Sequence, residues 1–191
     1  MRIFLILAPY AAFALLMAVT STASSLFAAA AICLAIIAFD VLRGRSIKLM
    51  GAGSALIFLG LGCYQIFGEI FGGEPLGNIA VKIAVDSGLF VIGLFSLAIG
   101  KPFTLQYARE MTDPEIARLP GFVTANTVIT WVWVVAFLLM VSANLLLLNW
   151  PNLPLWSGLV IAFAIRNPAI YFSKWYPSYH RRKFGAVTQA H

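Results

Sequence analysis

Hydrophobic positions run through this chain in long blocks separated by short polar interruptions, and the period-2 alternation of exposed strands is absent. A helix needs about 20 residues to cross a hydrocarbon core of about 30 Å. By that measure the blocks predict six spans, at residues 3–20, 25–42, 49–68, 79–99, 124–148 and 154–172. A backbone segment in lipid must satisfy its own hydrogen bonds, so each block is expected to be helical. The expected architecture is an all-α integral membrane protein, with a six-helix bundle over residues 1–173 and a basic tail over 174–191. The third block holds Gly51, Gly53, Gly60, Gly62 and Gly68, a composition that suits close helix contact better than lipid exposure.

Composition strengthens this reading. The chain is 61% hydrophobic and 10% charged, where soluble proteins have roughly 45–50% and about 25%. Spans of that number leave no room for a soluble domain. The opening stretch has the outline of a signal peptide, with Arg2, an apolar run and then small residues around Thr22 to Ser25. Its apolar run from Ile3 to Val19 is long enough for a short span, and a retained first helix is expected. Cys33 and Cys63 lie apart in apolar blocks with no metal-ligand spacing, which points to ordinary packing.

The net charge of +6 would suggest nucleic acid in a soluble protein. Here the basic residues fall in short connections and in the tail, facing anionic lipid headgroups, and no nucleic acid is expected. Arg2, the Arg43/Arg45/Lys48 group, the Lys101/Arg109/Arg118 group and the Lys174/Arg181/Arg182/Lys183 group all occupy alternate sides of six spans. The other connections carry no Lys or Arg. The positive-inside rule then places both termini in the cytoplasm. Trp150 and Trp156 at one border, and Trp175, Tyr176 and Tyr179 at the other, fit interfacial anchoring.

The longest polar interruption is residues 100–121. Pro102 suits a helix start, and Phe103, Tyr107 and Met111 then recur at i, i+4 and i+8, making one apolar face. Arg109 and Glu110 lie off that face. A second start signal follows in "TDPE", where Thr112 can cap and Glu115 can close a capping box. Two short interfacial helices are expected, with Lys101 and Arg109 able to grip lipid phosphates or a partner's acidic residues. The blander alternative is a pair of ordinary positive-inside charges. Lys101, Phe103, Tyr107, Arg109 and Glu110 are the candidate interaction residues.

A second candidate set lies inside the spans. Lys82 and Asp86 are four apart and suited to pairing on one helix face, either structurally or as a coupled ion or proton site. Asp40 is close in sequence to Arg43 and expected to be capped by it. Arg166, beside Asn167 and Pro168, either snorkels to the headgroups or faces Asp40 or an inner cavity. Gln65, Asn126 and Asn144 are expected to bond across helices.

Familiar membrane chemistries fail on inventory. "GAGS" at 51–54 suggests a serine nucleophile, yet His180 and His191 both lie in the tail and leave Ser54 without an embedded base. No HExxH, P-loop or haem-ligand histidine occurs within a span. No cofactor or metal is expected. An enzyme would need an unfamiliar constellation drawn from Asp40, Asp86 and Arg166.

The "KP" closing the fourth block, Leu119-Pro120, Trp133 followed after ten residues by Asn144 within "SAN", then Trp150 and Trp156, resemble the septation protein A family of bacterial inner-membrane proteins. The resemblance spans residues 80–157. It departs in a longer connection after "KP", in first spans similar only in hydropathy, and in the basic tail. It implies a non-catalytic role in cell-envelope synthesis and septation, through contacts with other inner-membrane envelope proteins. It supplies no catalytic residues. Besides such proteins, the expected partners are anionic lipids and a second copy of the chain as a homo-oligomer. The alternative is a small transporter or lipid-handling protein whose polar cavity is lined by Lys82, Asp86 and Arg166.

Overall fold

The computed structural model describes residues 2–150 and 155–184. Every regular element among them is helical: α1 (Arg2–Leu16), α2 (Thr22–Leu42), α3 (Leu49–Ile70), α4 (Asn78–Ala98), α5 (Phe103–Arg109), a 3-10 turn (Ile116–Arg118), α6 (Pro120–Asn149) and α7 (Leu155–Phe184). Among the described residues, α2, α3, α4 and α6 are long and apolar enough to cross a membrane. The distribution of side chains agrees with a lipid surround. Ser25, Ser96 and Thr130 are fully buried, while Leu56, Val91, Leu139 and Phe163 lie exposed. In water such apolar surface would be costly.

Two expected boundaries move. The first helix stops at Leu16 rather than near residue 20, because the chain turns there and Thr20 returns both its N–H and its hydroxyl to the Leu16 carbonyl at 2.8 Å. Its 15 residues reach only about 22 Å. The last helix does not stop at 172. α7 continues without a break to Phe184, through most of the segment read as a tail.

The chain divides into two compact units, Met1–Leu89 and Phe90–His191, with the boundary inside α4. In the first unit α2 packs on both α1 and α3. Ser21 starts α2 by accepting the Ser24 N–H at 3.1 Å. Phe58 of α3 is fully buried against the rings of Tyr10 and Phe13 of α1, at centroid distances of 5.6 and 5.5 Å. Gly88 of α4 presses so closely on Ile57 of α3 that a methyl group there would overlap it. Gln65 clamps the α3–α4 connection, donating to the Leu76 carbonyl at 2.9 Å and accepting the Leu76 N–H at 2.8 Å. It was expected to reach another helix; it secures a loop instead.

In the second unit α6 and α7 form an antiparallel hairpin. Leu147 meets Gly158, the Trp133 indole N–H donates to the Ser173 hydroxyl at 3.0 Å, and Gly121 meets the His180 ring. Asn126 does not bond across helices through its amide, which donates to its own helix at Phe122 O, 2.9 Å away. Asn144 is buried.

Candidate functional site

The connection from α4 to α6 is folded onto its unit at two points. α4 ends at Gly100, whose φ of +68° is the left-handed conformation that glycine adopts without strain. The Lys101 N–H then reaches the Ser96 carbonyl at 2.9 Å and the Gly100 N–H reaches that of Leu97 at 3.0 Å, the paired bonds of a Schellman ending. Ser96 has a second task. Its fully buried hydroxyl donates to the Gly93 carbonyl at 2.7 Å and accepts the Phe103 N–H at 3.2 Å, satisfying a donor at the start of α5.

α5 is the second anchor. Thr104 donates to the Asn126 carbonyl of α6 at 2.8 Å and lies 2.7 Å from the Thr130 hydroxyl, which itself reaches that carbonyl at 2.9 Å. Phe103 and Leu105 are buried, and the Phe103 ring sits 6.5 Å from that of Phe137. Gly93 makes room for this contact, since a Cβ there would come within 2.8 Å of Val134. Leu119 ends the 3-10 turn in an extended conformation (φ −64°, ψ 134°), as its position before Pro120 requires. Pro120 then opens α6 at its first turn.

Of the five residues expected to carry interaction, Lys101 and Arg109 are exposed, Phe103 is buried, and Tyr107 and Glu110 are half-buried. The apolar stripe is not the expected Phe103, Tyr107 and Met111. α5 ends at Arg109, so Met111 lies beyond it and is 58% exposed, and Leu105 takes the buried position. The second helix expected from "TDPE" is only the 3-10 turn at Ile116–Arg118, without a side-chain cap. Pro120 leaves too little chain for another helical turn. In this connection Lys101, Arg109 and Arg118 are exposed, as are the apolar Met111, Ile116 and Leu119. Ser96, Thr104 and Thr130, which hold it, had no distinguishing signal beyond being small polar residues near apolar blocks.

The intramembrane candidates separate. Asp40 pairs with Lys48 at 2.5 Å and Arg45 at 3.3 Å. Arg43, expected to cap it, instead lies over the Phe39 ring at 4.2 Å. The cause is Gly44, at φ +69°, which reverses the chain and brings the later residues back. Lys82 is exposed and Asp86 is buried. Arg166 is half-buried in α7. Ser54 lies within α3, donating to the Met50 carbonyl at 2.6 Å and hydrogen-bonded to the Tyr10 hydroxyl. It has a tyrosine beside it where a nucleophile would require a base. No group of residues able to hold a metal occurs among those described.

Compared with known proteins, the chain matches no family model, no curated protein and no solved structure.

Proposed function

We propose that this chain is a bacterial inner-membrane protein that acts without catalysis, by docking other membrane proteins of the cell envelope or division apparatus. The observation that supports it is the α4–α6 connection. A passive linker has no need of Ser96, Thr104 and Pro120 to fix its course, yet this one is pinned to α4 and α6 while its cations and three apolar side chains stay outside. Apolar contact area rimmed by charge is the common composition of a recognition surface. In this reading six spans cross the membrane, α1 and the first part of α7 joining the four clear ones, with both termini and the docking surface in the cytoplasm. The resemblance over residues 80–157 supplies the envelope and septation context.

Co-purification from cells tests this reading. The double reversal Arg109→Glu/Arg118→Glu is expected to lose an inner-membrane protein retained by the parent chain, at unchanged abundance and insertion. Retention of the same protein by the double variant would defeat the proposal. A second reading, a small transporter or lipid-handling protein, is favoured by Asp86, a carboxylate only 4% exposed within an apolar helix. It requires proton- or ion-dependent flux in proteoliposomes that Asp86→Asn abolishes without unfolding the chain.

A further inference from the structure

The α3–α4 connection is held at three points. The chain leaves α3 through Gly72, whose φ of +71° lets the Gly73 N–H return to the Gly68 carbonyl at 2.8 Å. Gln65, 3% exposed, bonds both backbone groups of Leu76. At the start of α4 the Thr22 hydroxyl of α2 donates to Asn78 Oδ1 at 2.6 Å. The backbone fixed in this way carries two kinds of exposed side chain. Phe67, Ile70 and Phe71, at i, i+3 and i+4, are 56%, 66% and 79% exposed, and the Phe67 and Phe71 rings stack at 5.9 Å. Glu69 and Glu74 are exposed too, and neither forms an ion pair or hydrogen bond among the described residues. No Lys or Arg lies between Lys48 and Lys82 to neutralise them along the chain.

Aromatic and aliphatic side chains held in the open are the usual anchors of an interface, and the charge within the same eight residues decides what can cover them. The headgroups of an anionic membrane repel both carboxylates. A second copy fits no better. α3, with 22 residues, puts about 33 Å between this connection and the Arg43/Arg45/Lys48 turn, and α4, with 21, puts about 31 Å between it and Lys101. Copies inserted in one membrane share an orientation. Each would therefore present carboxylates to its neighbour here and keep those cations at the far ends of the helices. What answers both the apolar face and the charge is a different chain that brings its own cations.

We propose that Phe67–Glu74 is a docking face for a basic amphipathic segment of another protein, whose apolar side chains cover Phe67, Ile70 and Phe71 and whose Lys or Arg residues meet Glu69 and Glu74. The face lies at the opposite end of α4 from the α4–α6 connection and stands whether or not that connection docks a protein.

The purified full chain in phosphatidylcholine nanodiscs, with a photo-crosslinking residue at position 71, provides the test. The probe is a labelled peptide of Leu and Lys set at helical period, compared with a counterpart that carries Glu in place of Lys. Light is expected to join the Lys peptide to the chain roughly tenfold more than the Glu peptide. Raising the salt to about 1 M should lower that yield severalfold. Glu69→Gln/Glu74→Gln should bring the two peptides level, and Glu69→Lys/Glu74→Lys should reverse the preference. Equal yields from the two peptides on the parent chain, a preference indifferent to salt or to both double variants, or adducts with lipid or with a second copy that the Lys peptide does not displace would each overturn the proposal.

Discussion

At the α2–α3 turn, Lys48 and Arg45 converge on one carboxylate, and Lys48 is left only 5% exposed. At the α4–α6 connection, Lys101, Arg109 and Arg118 stand in the open although Asp113 and Glu115 are close in sequence. Both groups are short runs of basic residues between apolar helices. The difference lies in the turn. Gly44 folds the chain back over the last turn of α2, where Asp40 waits, whereas Gly100 leads into α5, which is pinned by hydroxyls and apolar contacts. A basic residue in such a loop is therefore a brace where the turn returns it to an acid, and a surface where other bonds hold the backbone.

The contrast makes graded predictions. The largest effect belongs to the brace. Asp40→Ala leaves Lys48 buried without its carboxylate and is expected to cost about 3–5 kcal/mol, read as a fall in unfolding temperature in detergent. Asp40→Ala/Lys48→Met should recover much of it, since the orphaned charge is gone. Failure to recover would mean that Asp40 acts through something other than Lys48.

Next comes Gly93, whose added side chain must displace Val134. Gly93→Val should cost about 1–3 kcal/mol by overpacking. Ser96→Ala is expected to be milder, about 1 kcal/mol, because it removes one acceptor from the Phe103 N–H. Hydrogen exchange should reveal it locally, with faster exchange over residues 101–109 and little change in α6. Uniform loss of protection would show that the connection is not independently pinned. Arg109→Glu should be smallest in stability, within about 0.5 kcal/mol, as befits an exposed charge.

Most of the helical plan was legible because apolar length is a strong signal: the expected spans 49–68, 79–99 and 124–148 correspond to helices Leu49–Ile70, Asn78–Ala98 and Pro120–Asn149. α7 was not, since hydropathy falls after Phe172 while the helix is sustained by docking on α6 through Ser173 and His180. Pairing was the weakest inference. Sequence proximity favoured Arg43 for Asp40 and spacing favoured Lys82 for Asp86, but a chain reversal decides the first. In the second, Lys82 is exposed and Asp86 buried. Within the candidate segment the apolar facing was misread, because α5 ends at Arg109, two residues before Met111, and Leu105 takes the buried position.

The central claim is that the α4–α6 connection is a working surface and the α2–α3 turn is not. A photo-crosslinking residue placed at Arg109 or at Arg45 in otherwise identical cells compares them directly. The account predicts one reproducible adduct with an inner-membrane protein from position 109, lost when Arg118→Glu is added, and no such adduct from position 45. Equal adducts from both positions, or none from 109 at normal abundance, would contradict it.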